Sequence, residues 1–357
     1  MAVHFHSLKI KKIRKETDDC VSVSFEVPPD IQEDFNFREG QNVTLRKKLG
    51  GEELRRSYSI CSAPYERELK IAIKKVEGGM FSSFANDTLK PGDFLEVMPP
   101  TGKFNARVNK KPAGNFLAIA AGSGITPILS IIKHTLFSDP LSRFTLIYAN
   151  RNRASIIFFD ELEGLKNSFI DRFNFINILS REKTESTINY GRIDENKLEA
   201  LRKILKFTQF DDIFLCGPEE LVVTAESFLL KEGLVRDAIH FELFTTPGQT
   251  TRNMHNTAQL DEGPRSNISI KVDGRSFAFA LAFNGMSILD AALNQGADLP
   301  FACKGGVCCT CRAKLVEGEV RMDVNYALEP EEVKAGFILT CQSHPVTSKI
   351  AIDFDVK

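Results

Sequence analysis

The sequence predicts a multidomain fold: an antiparallel β-barrel domain, an α/β domain with a parallel sheet, and a small C-terminal domain around a cysteine-rich loop. Three observations support it. Short alternating segments occupy the chain up to about residue 109, a strand–helix–strand pattern begins after Gly114, and a polar stretch precedes a third pattern near residue 267. With 357 residues, 43% hydrophobic and 26% charged, the chain is long enough for two or three domains.

The first domain is predicted over residues 1–110 and the second over residues 111–244. In the first, VSVSF at 21–25 and KIAIK at 70–74 alternate apolar and polar side chains between turn residues, as the strands of a small barrel do. The second follows a short polar stretch that contains Pro112. Its FLAIAA run at 116–121 is typical of a buried strand, and a glycine turn, a helix-like stretch and FTLIY at 144–148 come next. This order predicts a parallel nucleotide-binding sheet.

A linker and a third domain are predicted over residues 245–266 and 267–357. The linker is polar, contains Pro and Gly, and lacks an apolar period. In the third domain, ISIKV at 268–272, an Asp-Gly turn and FAF at 277–279 predict a β-hairpin. SILDAALN at 287–294 predicts a helix that its serine caps, and the cysteine-rich loop follows directly.

Composition excludes several classes of function. The net charge is −1, whereas a nucleic-acid-binding protein needs a strongly basic surface and a membrane-anchored one often carries a polybasic segment. The first residues have no apolar signal core, and no apolar run reaches 18 residues. We therefore expect a cytoplasmic protein without membrane insertion or a nucleic-acid partner.

The most informative motif is CKGGVCCTC at residues 303–311, which Cys341 follows thirty residues later. The spacing of Cys303, Cys308, Cys311 and Cys341 is that of plant-type ferredoxins, and it predicts that these four thiolates bind a [2Fe-2S] cluster. The glycines suit a backbone that wraps around a cluster.

A zinc knuckle and a disulfide framework are the alternatives to the cluster. Zinc sites prefer two C-x2-C pairs or paired His and Cys, and disulfides suit small secreted domains. The other cysteines of the barrel and the loop, Cys20, Cys61 and Cys309, are predicted not to bind iron.

A flavin site is predicted from two motifs in the first domain. RSYS at 56–59 offers Arg56 to a pyrophosphate, Tyr58 to the isoalloxazine face, and Ser59 to the redox-active nitrogen of the ring. GGMFSSF at 78–84 places glycines and a hydroxyl ahead of a short helix, whose N-terminus favours phosphate. The candidate phosphate-binding residues there are Gly79, Met80, Phe81 and Ser82.

A nicotinamide site is predicted in the second domain. GSGITP at 122–127 follows the buried strand and precedes a helix, which is the context of a phosphate-binding turn, and its candidate residues are Gly122, Gly124 and Thr126. An acid after the second strand would hold the ribose 2′-hydroxyl of NADH, but NRNR at 150–153 contains none. NADPH is therefore favoured, with Arg151 as a candidate for the 2′-phosphate.

These motifs, with LKPGD at 89–93 and PPTGKF at 99–104, resemble the ferredoxin–NADP reductase superfamily. The resemblance implies FAD rather than FMN. It also implies that CGP at 216–218 (Cys216, Gly217, Pro218) lies beside the nicotinamide, and that Ser180, Arg181 and Tyr190 hold the 2′-phosphate and adenine of NADPH. Glu242 and Phe244 resemble the terminal E-x-aromatic pattern, so that Ser59, Cys216, Glu242 and Phe244 are the candidate catalytic residues, Phe244 as a lid over the flavin. The third domain resembles the β-grasp ferredoxins.

The three modules in one chain resemble the reductase components of multicomponent oxygenases, particularly the phenylacetyl-CoA epoxidase reductase type. This implies an oxidoreductase of phenylacetate catabolism that passes electrons from NADPH through FAD and a [2Fe-2S] cluster to an oxygenase partner, expected to be a di-iron enzyme. The alternatives are the reductase of another hydroxylase, acting on a steroid, an alkane or an aromatic ring, and a redox-sensing flavo-iron-sulfur protein that does not turn over.

Overall fold

The computed structural model describes residues 4–105, 113–244 and 264–356. The predicted domain boundary at Pro112 and almost all of the predicted linker lie outside these residues. The chain divides into two compact units. One, over Ser7–Leu54 and Tyr58–Phe244, contains nearly all of the first two sheets, and the other contains the C-terminal sheets together with Arg55–Ser57.

The first sheet has six strands in the order β4-β3-β6-β1-β2-β5. The pairs β1–β2, β2–β5 and β3–β6 are antiparallel, and alternate side chains such as Val23, Leu45 and Ile71 fill its core. The predicted barrel strands are confirmed. The elements are β1 (His6–Thr17), β2 (Cys20–Glu26), β3 (Asn42–Leu49), β4 (Glu52–Ser59), β5 (Leu69–Lys74), α1 (Met80–Asp87) and β6 (Phe94–Val97).

The second sheet is parallel, with the strand order β11-β10-β7-β8-β9. The chain runs outward from β7 to β9 and then returns to β10 on the other side of β7. The carboxyl ends of β7 and β10 therefore meet at the switch point, where open α/β sheets bind ligands. The elements are β7 (Asn115–Ala121), α2 (Ile125–Ser138), β8 (Arg143–Asn150), α3 (Phe159–Ser168), β9 (Phe173–Leu179), α4 (Glu195–Arg202), β10 (Asp212–Gly217), α5 (Glu219–Lys231) and β11 (Ile239–Leu243).

The C-terminal unit contains a five-stranded sheet in the order β13-β12-β18-β14-β16 and a two-stranded sheet of β15 and β17. The predicted hairpin and helix are confirmed, and Ser287 Oγ caps the helix by accepting from the Asp290 N–H. The elements are β12 (Arg265–Val272), β13 (Arg275–Ala282), α6 (Ile288–Asn294), β14 (Arg312–Glu317), β15 (Val320–Met322), α7 (Pro330–Lys334), β16 (Phe337–Leu339), β17 (Ser343–Pro345) and β18 (Lys349–Asp353).

The first strand of this unit begins earlier than the sequence pattern predicts. Arg265 and Ser266 belong to β12 although they fall in the stretch assigned to the linker, because they pair with Ala282 and Leu281 at the far end of the hairpin. Polar residues at a strand end give no alternating signal of their own. Among the described residues, no helix is long and apolar enough to cross a membrane.

Candidate functional site

The four predicted catalytic residues lie at the carboxyl ends of β4, β10 and β11. Ser59 ends β4, and its Oγ donates to Glu242 Oε2 on β11 at 3.3 Å. Cys216 is the register partner of Glu242 on the neighbouring strand β10. Phe244 follows β11, and its N–H donates to the Gly217 carbonyl at 3.4 Å. The end of the barrel motif and the end of the parallel sheet therefore meet in one place.

Burial controls the protonation of Glu242 and Cys216. It raises the pKa of the Glu242 carboxyl to about 7, and the Ser59 hydroxyl partly offsets the effect. Burial, followed by the nearby Glu242 carboxylate, raises the pKa of the Cys216 thiol well above its usual value. Cys216 is fully buried. Its side chain is thus a neutral thiol, whereas Glu242 can exchange a proton near neutral pH.

The glycine turn at residues 122–124 joins β7 to α2 and contacts the end of β10. A Cβ on Gly124 would lie 2.2 Å from the Cys216 carbonyl oxygen, so only glycine fits there. The buried Tyr148 donates its hydroxyl to the Gly122 carbonyl at 2.8 Å, and Thr126 Oγ1 donates to the backbone of the same turn. Two motifs about 90 residues apart in sequence are therefore packed together at the switch point.

The remaining residues of the CGP motif, Gly217 and Pro218, lie at the same edge of the sheet. Pro218 occupies the N-cap position of α5, immediately after β10, and Gly217 lies beside Ala121 at the end of β7. The carboxyl ends of both strands thus present backbone rather than bulky side chains. A close approach by a dinucleotide needs such a surface.

The two predicted flavin motifs also meet. The Tyr58 ring on β4 lies 5.9 Å from the Phe81 ring on α1, measured between centroids. Phe81 is fully buried and supports the helix from within the barrel core, whereas Met80 is half exposed. Arg56, two residues before Tyr58, donates to the Arg55 carbonyl at 2.7 Å.

The hydroxyl of Ser82 lies in the first turn of α1 rather than ahead of it, since the helix begins at Met80 with Gly79 as its N-cap. Ser82 Oγ accepts from the Val76 N–H at 3.1 Å and donates to the Gly79 carbonyl at 3.2 Å. The hydroxyl therefore shapes the turn that precedes the helix.

The candidate residues for the adenine ribose lie on two adjacent loops, after β8 and β9. The Arg181 N–H donates to the Arg151 carbonyl at 2.7 Å, and the Ser180 N–H donates to the Asn150 carbonyl at 2.9 Å. Arg151, Arg181 and Tyr190 are exposed. Glu182 Oε2 accepts from the Arg153 N–H at 2.8 Å, so a carboxylate does lie beside the NRNR segment, contributed by the neighbouring loop.

The predicted iron ligands form two pairs of thiols in the C-terminal unit. Cys303 Sγ and Cys308 Sγ lie 3.1 Å apart, and Cys311 is hydrogen-bonded to Cys341. The Cys308 thiol and the loop amides, including the Gly305 N–H, lower the pKa of Cys303 to about 6. Among the described residues, no group of three or more His, Cys, Asp or Glu meets the geometry for holding one metal ion.

The donor set fits a two-iron cluster, because each iron of a plant-type cluster takes two thiolates. The cysteine-rich loop at residues 303–311 fits a cluster as well. Gly306 has φ = 72°, and a Cβ there would lie 2.9 Å from Val324 Cγ2, so the tight loop requires glycine. Cys309 Sγ lies 3.1 Å from the Ala327 carbonyl oxygen. Gln342 Nε2 lies 3.4 Å from Cys341 Sγ.

Two side chains of the site, Tyr148 and Gln342, had no sequence signal. Tyr148 lies in an apolar strand run and looks like any core aromatic residue. Gln342 follows a predicted ligand, and only that adjacency could have marked it.

Comparisons with known proteins identify the families of the three parts of the chain. Three family models match: an oxidoreductase FAD-binding domain at residues 7–106, an oxidoreductase NAD-binding domain at 118–227, and a 2Fe-2S iron-sulfur cluster binding domain at 270–346. A component of the 1,2-phenylacetyl-CoA epoxidase of Escherichia coli K12 is 45% identical, over 99% of this chain and 98% of its own. The ferredoxin reductase component of a Rhodococcus rhodochrous 3-ketosteroid-9-alpha-monooxygenase is 31% identical, over 97% of this chain and 96% of its own length.

A solved structure of phthalate dioxygenase reductase, titled a modular structure for electron transfer from pyridine nucleotides to [2Fe-2S], is 25% identical and covers 98% of both chains, with a TM-score of 0.59. These matches define a flavin- and nicotinamide-dependent oxidoreductase with its own iron–sulfur domain. The chain belongs to the family of reductase components of oxygenases, within the ferredoxin–NADP reductase superfamily.

Proposed function

We propose that this protein passes electrons from NADPH through FAD and a [2Fe-2S] cluster to an oxygenase component, a di-iron enzyme that acts on an aromatic acyl-CoA such as phenylacetyl-CoA. The choice of partner is supported by the 45% identity to a component of such an epoxidase, against 31% to a steroid monooxygenase reductase. The observation that carries the electron relay is the meeting of Ser59, Cys216, Glu242 and Phe244 at one edge of the parallel sheet.

The chain's own residues bind and orient the two nucleotides. Arg56 would pair with the FAD pyrophosphate, Tyr58 would stack on the isoalloxazine, and the N-terminus of α1 at Gly79 would receive phosphate. The turn at Gly122–Gly124 would receive the NADPH pyrophosphate. Bound flavin supplies the conversion of a two-electron hydride donor into single electrons. Ser59 and Glu242 would fix a hydrogen-bond donor and a titratable carboxyl beside the ring, and Phe244 would exclude water.

The four thiolates of Cys303, Cys308, Cys311 and Cys341 would hold the cluster, two to each iron. The two thiol contacts, one within the loop and one between Cys311 and Cys341, support this assignment. Such a cluster carries one electron at a time at low potential.

NADPH is preferred in this proposal because exposed guanidiniums flank the adenine site. Arg151 and Arg181 are exposed on adjacent loops joined by a backbone hydrogen bond, and they would bind a 2′-phosphate, with which arginine forms paired, charge-assisted hydrogen bonds.

The nucleotide preference is tested by kcat/KM for NADPH and NADH in Arg181→Ala. We expect NADPH efficiency to fall at least about tenfold while NADH efficiency changes little, since the lost charged hydrogen bond is worth about 1.5–3 kcal/mol. Arg143→Ala is the matched control, because Arg143 is exposed at the opposite, amino end of β8. If Arg181→Ala lowered kcat/KM equally for NADPH and NADH, binding of the 2′-phosphate by Arg181 would be refuted.

The relay itself is tested by anaerobic NADPH titration of the purified protein, followed by absorbance and EPR. Flavin and cluster should both be reduced, and steady-state reduction of cytochrome c should follow. A protein that takes up electrons without steady turnover would instead be the redox sensor. The partner is tested by reconstitution with oxygenase components that act on aromatic acyl-CoA and with those that act on steroids.

A further inference from the structure

Four charged side chains form a connected network between the barrel and the parallel-sheet domain. Lys133 Nζ on α2 lies 2.8 Å from Glu66 Oε2 of the barrel and 2.6 Å from Glu161 Oε1 on α3. Glu161 Oε2 in turn lies 3.3 Å from Lys70 Nζ on β5. Two barrel residues and two residues of the nucleotide-binding domain thus form a charge-balanced group, named here the quartet.

The centre of the quartet is buried and remains charged. The Lys133 side chain is only 3% exposed. Burial lowers the pKa of Lys133, but Glu161 and Glu66 outweigh it and hold that pKa above the usual value. Burial raises the pKa of Glu161, and Lys133 and Lys70 hold it below the usual value. At neutral pH the quartet is therefore a set of ion pairs.

Stability alone does not explain such a network. Buried ion pairs are costly to desolvate, and apolar side chains of the same size often stabilise a fold as well or better. What this network does provide is a geometric constraint, because Lys133 donates hydrogen bonds at once to Glu66 of the barrel and to Glu161 of α3. A second directional contact lies beside it: the buried Ser130 of α2 donates its hydroxyl to the Ser62 carbonyl at 2.6 Å.

The quartet links the two parts of the site that must be aligned. Helix α2 starts directly after the Gly122–Gly124 turn and carries both Ser130 and Lys133. On the barrel side, Ser62 and Glu66 follow Ser59 within the same short segment of chain. The helix that follows the nucleotide turn is thereby tied to the segment that follows the flavin motif.

We propose that Lys133 is a positioning residue for hydride transfer, which holds the nicotinamide-binding turn at a fixed distance from the flavin-binding barrel. This inference rests on the proposed function. Reacting atoms must approach to roughly 3–3.5 Å, and an error of about 1 Å can cost on the order of a hundredfold in rate. A rotation of one domain on the other would move the nicotinamide without removing any group that binds it.

The test replaces Glu66→Gln and Lys133→Gln together, which removes one cation and one anion and leaves the Lys70–Glu161 pair balanced. Flavin reduction by NADPH is followed by anaerobic stopped-flow spectroscopy. We expect at least a tenfold lower limiting rate at saturating NADPH, an NADPH dissociation constant within about twofold of wild type, and loss of long-wavelength charge-transfer absorbance between nicotinamide and flavin.

The matched control is Glu195→Gln with Lys231→Gln, which removes an ion pair of 3.0 Å inside the nucleotide-binding domain. It should leave the limiting rate and the charge-transfer absorbance unchanged. An unchanged limiting rate in the quartet variant would overturn the proposal. If wild type itself is not reduced by NADPH, the proposed function fails instead. Should the double variant not retain flavin, Glu66→Gln alone takes its place, because it removes the barrel carboxylate that pairs with Lys133. A several-fold lower limiting rate in that variant supports the proposal, and a wild-type rate refutes it.

Discussion

At the scale of single residues, Glu242 is a carboxyl whose charge changes near neutral pH. Its pKa is raised to about 7 by burial, so we expect the pH profile of flavin reduction by NADPH to contain an ionisation near pH 7. Glu242→Gln keeps an acceptor for the Ser59 hydroxyl but cannot ionise. The variant should therefore lose this ionisation, and a profile that keeps it would assign the ionisation to another group.

The same shift predicts the direction of a stability effect. The carboxyl has a higher pKa in the folded state than its value of 4.5 when unfolded, so its favourable contribution is complete below about pH 4.5 and is lost as pH rises to about 7. Above pH 7 the half-buried carboxylate lowers the free energy of unfolding by on the order of 1–3 kcal/mol. Thermal unfolding should show Glu242→Gln to be more stable than wild type at pH 8, with the advantage shrinking toward pH 5. If the difference in stability between the variant and wild type did not depend on pH, the raised pKa of Glu242 would be contradicted.

Gly124 and Gly164 provide a matched comparison of two glycines. A Cβ at Gly124 would lie 2.2 Å from the Cys216 carbonyl oxygen, whereas a Cβ at Gly164 in α3 has nothing within 4 Å. Gly124→Ala should cost about 1–3 kcal/mol or more and raise the KM for NADPH at least tenfold. Gly164→Ala should stabilise the helix by about 0.5–1 kcal/mol with unchanged KM. Equal KM values in the two variants would show that the turn does not bind the nucleotide.

At the scale of elements, the cluster loop distinguishes adjacent cysteines. Cys308 Sγ lies 3.1 Å from Cys303 Sγ, whereas Cys309 Sγ lies at the Ala327 carbonyl. We expect Cys308→Ser to lose iron and visible absorbance of the cluster, and Cys309→Ser to retain both at wild-type levels. Iron content per chain and EPR of the reduced protein provide the measurement. Iron loss in Cys309→Ser alone would reverse the assignment.

Local patterns predicted the elements, and contacts between distant segments could not be predicted. The strands around 21–25 and 116–121 and the helix after Ser287 follow from alternation, apolar runs and a capping side chain, all within a few residues. The contact of Gly124 with Cys216 and the pairing of Lys133 with Glu66 join residues far apart in the chain. A single sequence does not indicate which residue pairs with a lysine inside an apolar helix. The sequence therefore predicted the candidate site residues but not what aligns them.

At the scale of the whole molecule, the sites divide between two compact units. Apart from Arg56 and Ser57, the flavin and nicotinamide motifs lie in the first unit, and all four candidate iron ligands lie in the second. Each unit has its own hydrophobic core, so damage to the cluster site should leave the first unit folded. Hydride oxidation and one-electron delivery should then be separable by a single substitution.

Cys341→Ser tests this separation, because it removes the one candidate ligand that comes from outside the loop. We expect NADPH oxidation with ferricyanide, which can accept electrons from flavin directly, to stay within about twofold of wild type. Reduction of cytochrome c, and turnover of an oxygenase partner, should fall at least tenfold because the one-electron carrier is absent. Cys309→Ser is the control and should preserve both activities. If Cys341→Ser delivers electrons to the oxygenase at the wild-type rate, the cluster does not lie on the route from flavin to partner.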